Sequence, residues 1–98
     1  MLKRPENLGI IHFIGIGGIG MSGIAEILVQ SGYLVQGSDI NASNNTKRLE
    51  KLGIKIFIGQ KKTNIINAKI IVVSTAISKN NEEFIEAKKL FLPIVHRA

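Results

Sequence analysis

The chain has no cysteine among its 98 residues, so disulfides and thiolate metal sites are excluded. An oxidising compartment is therefore neither required nor implied. No apolar run is long enough to cross a bilayer, which needs about 20 residues. The longest candidate, IIHFIGIGGIGM, is short and interrupted by glycine. It does not read as the apolar core of a signal peptide either, since that core would be the glycine loop itself. Aromatic residues make up only 5% and do not interleave with the basic ones, so there is no stacking platform for single-stranded nucleic acid. The expectation is a soluble, intracellular, cytoplasmic protein with neither a membrane nor a nucleic acid as partner.

What is present is a hydrophobic share of 45% and a net charge of +6, enough apolar material for one small domain. The lysines are spread along the chain and read first as solubilising residues. Their field still favours a small anionic ligand.

Short apolar runs alternate with helical stretches. Residues 10–14 (IIHFI) read as a buried strand. Residues 18–31 read as a helix, with Met21, Ile24, Ala25 and Leu28 on one face and Gly32 ending it. Residues 33–38 read as a second strand, 44–52 as a helix closed by Gly53, and 54–58 as a third strand. A single helical turn is expected at 63–67 and a fourth strand at 69–74. The last helix takes Asn80 as its cap with Glu83 in capping-box position, and carries Glu82 and Glu83 in its first turn and Lys88 and Lys89 in its last. Pro93 opens a short fifth strand. Connections too long for hairpins imply parallel strands with helices on both faces. The fold expected is α/β, a Rossmann-like, doubly wound, three-layer domain with a mostly parallel sheet of about five strands. It spans 1–98 as a single domain, and the abrupt end after a strand reads as a domain cut from a longer protein.

Five glycines fall within residues 15–23, directly after the first strand. Gly15, Gly17 and Gly20 match G-x-G-x-x-G between a strand and a helix. Gly15 allows the tight turn. Gly17 lacks a side chain so that a phosphate can approach, and Gly17→Val should block a diphosphate while leaving the fold intact. Gly20 lets the helix pack close to the sheet. Gly18 widens the backbone surface, and Gly23 marks close helix–sheet contact. The helix N-terminus offers free amides and a partial positive charge to a diphosphate.

Asp39, ending Gly37-Ser38-Asp39, lies where such a fold places an acidic residue on a ribose hydroxyl, the reading favoured because carboxylate and loop point to the carboxyl edge of the sheet; the alternative is that it merely begins the polar loop that follows. Pattern alone points to NAD. Ser74, Thr75 and Ala76 end the fourth strand beside the crevice, as ligand contacts or as a turn. His12 reads as a packed or hydrogen-bonded histidine, and His96 alone has no reading. No metal-spaced cluster, no Ser-His-Asp set and no G-x-x-x-x-G-K-[ST] occurs, so neither catalytic nor metal-binding residues are assigned.

Taken together, IHFIGIGGIGMSGIAEIL, GYLVQGSD, LGIKIFIGQ, VVSTAIS-x-x-N and LPIVHRA resemble the N-terminal domain of the Mur ligases, from about residue 10 to 98. Within that family the loop is most similar to that of the members attaching L-alanine in peptidoglycan synthesis. The resemblance implies UDP-N-acetylmuramate in place of NAD. Its diphosphate would lie on Gly15, Ile16, Gly17, Gly18, Ile19 and Gly20. Ser38 and Asp39, with Ser74, Thr75, Ala76 and Ile77, would enclose the uridine and phosphates. Arg97 falls near the substrate.

Two positions depart from the family pattern. Gln60 replaces a common histidine on the uridine side, and a glutamine carries no charge. His96 stands where arginine is common. The resemblance further implies a three-domain enzyme. ATP and Mg2+ would phosphorylate the muramyl carboxylate, and L-alanine would attack the acyl phosphate. The ATP and alanine sites would lie in domains outside this chain, which then binds but does not catalyse and holds no cofactor itself. Two other readings remain: an NAD(H)-binding regulatory domain and a nucleotide-free oligomerisation module.

Overall fold

The computed structural model describes residues 8–74 and 77–97. In chain order the elements are β1 (Ile10–Ile14), α1 (Ile19–Gln30), β2 (Leu34–Asp39), α2 (Asn44–Lys51) and β3 (Lys55–Ile58). A 3-10 turn (Lys62–Ile65), β4 (Ala68–Ser74), α3 (Glu82–Lys89) and β5 (Ile94–Arg97) follow. All strand pairs are parallel, in the order β3-β2-β1-β4-β5. The α/β expectation holds. No helix among the described residues is long and apolar enough to cross a membrane.

Parallel strands are covered on both faces, which is why the central ones read as continuous apolar runs. In β1, Ile11 and Phe13 enter one core with Met21 and Ala25 of α1 and Leu49 of α2. Ile14 enters the other, with Ile71 and Val73 of β4 and Ala87 of α3. Strand order reverses between β1 and β4, and a crevice forms at the carboxyl edge of such a sheet. The register brings Ile14 level with Ser38 and with Val73, so the ends of β1, β2 and β4 meet there.

The helix ends show where sequence patterns reached and where they stopped. Gly32 and Gly53 follow α1 and α2 with φ of +95° and +92°, the left-handed conformation that ends helices. At α3 the cap is Asn81, not Asn80: its Oδ1 accepts from Glu83 N at 2.9 Å and Phe84 N at 3.1 Å. Glu83 is thereby the second helical residue, one short of a capping box, and its carboxylate turns inward. The expected dipole pattern, Glu82 and Glu83 first and Lys88 and Lys89 last, is present. The contact expected at Gly23 is not: it is exposed, and a Cβ there would meet nothing within 4 Å.

After α3 the left-handed position is held by Phe91, at φ +57° with its side chain 91% exposed. Phe91 N donates to Lys88 O at 3.1 Å and Leu92 N to Ala87 O at 3.0 Å, the bond pair that closes a helix around a glycine elsewhere. A side chain in this conformation costs about 1–2 kcal/mol. Phe91→Gly is therefore expected to stabilise the domain by up to about 1 kcal/mol, raising Tm by roughly 4–8 °C in a thermal melt. A lower Tm would show that Phe91 packs in a way its exposure does not suggest.

Candidate functional site

The glycine loop leaves β1 at Gly15, whose φ of +81° makes the tight turn. The amides of Gly15 and Ile16 both donate to Ser38 O, at 2.8 and 2.9 Å. Gly17 N donates to Asp39 Oδ2 at 2.8 Å, and Gly18 N to Gly15 O at 3.1 Å. Four consecutive amides thus hold the loop itself. The next two, of Ile19 and Gly20, open α1, where a helix has no carbonyl one turn back to receive them. The amides of Ile19 and Gly20 are thus the ones an anion could meet in this loop, with the positive end of the helix dipole behind them.

Arg97, at the end of β5, reaches the same place. A Cβ on Gly20 would stand 3.0 Å from Arg97 Nη2. Gly20 faces the guanidinium, not the sheet, which corrects its expected role. Gly15, Gly18, Ile19, Gly20, Ser74 and Arg97 line a cleft of about 320 Å³. Amides and guanidinium on one small cavity suit a phosphate, since charge-assisted hydrogen bonds are the stronger kind.

A second cleft of about 290 Å³ shares Gly15 and Ser74 and continues past Asp39, Ile40, Gln60 and Ile77. Its far wall is tied together, because Asn81 Nδ2 donates to Gln60 Oε1 at 2.7 Å. A larger, more apolar cleft of about 510 Å³ lies between α3 and β5, with Phe84 and His96 in its wall; of the expected residues it takes only Ser74 and Ile77.

Several expected residues enter differently. Ile16 has a fully buried side chain, and Ser38 is also fully buried, its hydroxyl donating to Glu83 Oε1 at 2.7 Å. Both support the loop from beneath. Asp39 accepts from two amides, Gly17 N and Ile40 N, each at 2.8 Å. Gly17 is also required bare by the fold itself. A Cβ there would stand 2.8 Å from Asp39 Oδ2, 3.0 Å from Thr46 Cγ2 and 3.2 Å from Ser43 Oγ. Gly17→Val would therefore strain the fold and is no clean probe of phosphate binding. Thr75 and Ala76 lie outside the described residues.

Sequence reasoning missed a buried polar network beneath the second cleft. Glu83 and His12 are both 0% exposed, with His12 Nε2 and Glu83 Oε1 2.6 Å apart. Gln36 Nε2 lies 2.8 Å from His12 Nδ1 and donates to Asn64 O at 2.9 Å. That carbonyl can only accept, which fixes the Gln36 amide as donor to Nδ1. The His12 proton then sits on Nε2 and points at Glu83. Asn64 Nδ2 adds bonds to Glu83 Oε2 at 2.7 Å and to Gly59 O at 2.8 Å. His12 is the hydrogen-bonded histidine expected. The available signal for Glu83 was its place one turn before Ala87, on the buried face of α3.

Known proteins resemble this arrangement over nearly the whole chain. The model of the Mur ligase family, catalytic domain, matches residues 10–98. A UDP-N-acetylmuramate--L-alanine ligase of Brucella anthropi is 58% identical over 97 residues, covering 99% of this chain and 21% of the relative. The Brucella ovis enzyme of the same name is 57% identical with the same coverage. The chain thus spans about a fifth of the length of the curated relatives it matches. Among solved structures, the UDP-N-acetylmuramate-alanine ligase of Thermotoga maritima superposes with a TM-score of 0.87 at 37% identity, over 91% of this chain and 21% of that one. A UDP-N-acetylmuramate:L-alanyl-gamma-D-glutamyl-meso-diaminopimelate ligase from Neisseria gives 0.82 at 28% identity, over 90% and 28% of the respective chains. With its glycine loop, parallel sheet and sequence all matching, the chain belongs to the Mur ligase family.

Proposed function

We propose that these residues form the N-terminal UDP-N-acetylmuramate-binding domain of a ligase that attaches L-alanine to that substrate in peptidoglycan synthesis. The observation carrying this reading is the convergence of Arg97 on the Ile19 and Gly20 amides, next to a second cleft bearing Asp39 and Gln60. The diphosphate belongs in the first cleft and the uridine side in the second. The relatives' names supply the sugar and the amino acid.

The share of the reaction proposed for this chain is binding and orienting, without catalysis. G-x-x-x-x-G-K-[ST] is absent from its sequence. The reading assigns ATP, Mg2+ and L-alanine to parts of the enzyme beyond those spanned here, and the activation of the carboxylate as an acyl phosphate with them. It also places the protein in the cytoplasm, without nucleic-acid or membrane partners.

Titration with UDP-N-acetylmuramate, UDP and NADH, followed by amide NMR shifts, tests it. The two uridine compounds should move Ile19 and Gly20, and NADH should not. Gly20→Ala should keep the fold, because its Cβ meets only the far end of a flexible arginine. It should weaken UDP binding by about 10-fold through the displaced guanidinium, a charged hydrogen bond being worth about 1.5–3 kcal/mol. Shifts with NADH alone would overturn the reading, as would unchanged UDP affinity in Gly20→Ala.

A further inference from the structure

Gly17 is gripped on both sides. Its N–H donates to Asp39 Oδ2 at 2.8 Å, and its carbonyl accepts from Asn45 Nδ2 at 2.9 Å. Asp39 ends β2, and Asn45 is the second residue of α2. The start of α2 is itself held rigidly: Ser43 and Thr46 bond reciprocally, Thr46 N to Ser43 Oγ at 3.2 Å and Ser43 N to Thr46 Oγ1 at 2.8 Å. A glycine has the widest choice of backbone conformations, so Gly17 is the place where the loop most needs an external hold. Two residues further on lie the Ile19 and Gly20 amides, whose direction depends on how Gly17 is set.

We propose that Asp39 and Asn45 are positioning residues that clamp Gly17 and so aim the Ile19 and Gly20 amides at the phosphate. This rests on the nucleotide-binding reading above and extends it. Asn45 lines neither the phosphate cleft nor its neighbour, so any effect it has on a phosphate passes through Gly17. Asp39 acts by accepting two amide hydrogens, from Gly17 N on Oδ2 and from Ile40 N on Oδ1. An asparagine in its place keeps one acceptor oxygen, enough to hold the Gly17 amide at the loss of the Ile40 bond.

The test uses the 98-residue chain with Asn45→Ala, Asp39→Ala and Asp39→Asn. The probes are inorganic pyrophosphate, UDP and 2′,3′-dideoxy-UDP. Asn45→Ala and Asp39→Ala should each weaken all three by a common factor of about 3–10, the loss of one hydrogen bond. Asp39→Asn, which keeps one acceptor oxygen for the Gly17 amide, should lose less than Asp39→Ala. Normal pyrophosphate binding by Asn45→Ala would overturn the proposal. So would an Asp39→Ala that weakens UDP alone, which would make Asp39 a direct ribose contact.

Hydrogen exchange without ligand gives an independent arm. Asp39→Ala should deprotect the Gly17 amide relative to that of Phe13 in the core. If wild-type protein bound none of the probes, the nucleotide reading would fall. The clamp would then stand or fall on the Gly17 amide alone, unchanged protection overturning it.

Discussion

Glu83→Ala is expected to remove about 3–5 kcal/mol of folding stability, because three side-chain donors lose the acceptor they share. The carboxylate is fully buried and receives hydrogens from three side chains: Ser38 and Asn64 at 2.7 Å each, and His12 at 2.6 Å. Without it the buried donors of Ser38 and His12 are left unsatisfied, each costing about 1–3 kcal/mol before relaxation, and half-buried Asn64 loses one bond. Against a total of about 5–15 kcal/mol for a domain, the variant would be marginal. Urea denaturation should show a much lower midpoint at an unchanged slope. Glu83→Gln should lose less, since its amide oxygen still accepts on one side. A loss below about 1 kcal/mol for Glu83→Ala would mean that water or neighbouring groups satisfy the donors instead. The site would feel the change as well. Asn81, two residues away, holds Gln60, and Asn64 holds Gly59, so the wall of the second cleft hangs from the same network.

Gly37→Ala should destabilise by about 3 kcal/mol, at the upper end of what overpacking produces. A Cβ there would stand 2.6 Å from both Cβ and Cδ1 of Ile16 and 2.9 Å from Phe13 O. None of these can move cheaply. Ile16 is fully buried, and the Phe13 carbonyl belongs to the strand directly paired with Gly37. Gly37 is bare so that the first side chain of the loop can fold back under it. The coupling is testable with Ile16→Ala, which alone should cost about 2–5 kcal/mol through the cavity it leaves. Combined with Gly37→Ala it should cost somewhat less than the sum, because it removes Ile16 Cδ1 while Ile16 Cβ and Phe13 O stay where they are. Strict additivity in a double-mutant cycle would place the strain on those two remaining atoms.

The layout was legible in the sequence because its signals are local. Strand β1 was expected at 10–14 and stands there, and glycines ended two helices as expected. Boundaries shifted by a residue or so elsewhere, as at α3, where two adjacent asparagines compete and only geometry selects Asn81. The site was legible as a loop but not as a set of contacts. G-x-G-x-x-G marks three bare positions without saying which way a Cβ would point. Gly17 turned out to face Asp39 and α2, and Gly20 to face Arg97, 77 positions later (97 − 20) in the chain. Gly37 and Asn45 had no pattern of their own and Glu83 was legible only as a helix-start residue, because what each does depends on a neighbour brought in by the sheet. Ser38 and Asp39 were singled out as ligand contacts and stand beside the loop, yet a sequence cannot say that a hydroxyl points down into the interior or that a carboxylate is accepting backbone amides.

The contact between His12 and Glu83 joins residues separated by 71 positions. During synthesis from the N-terminus, β1, α1 and β2 emerge long before α3, and their pairing is local enough to form early. Until α3 docks, His12 and Ser38 lack the Glu83 carboxylate to which both are bonded in the folded state. Closure should thus be a late kinetic step, slow for the same reason that long-range parallel pairing is slow. A β4 paired in the wrong register would carry Glu83 away from His12 and Ser38, and a buried carboxylate without donors is costly, so the network should favour the native register.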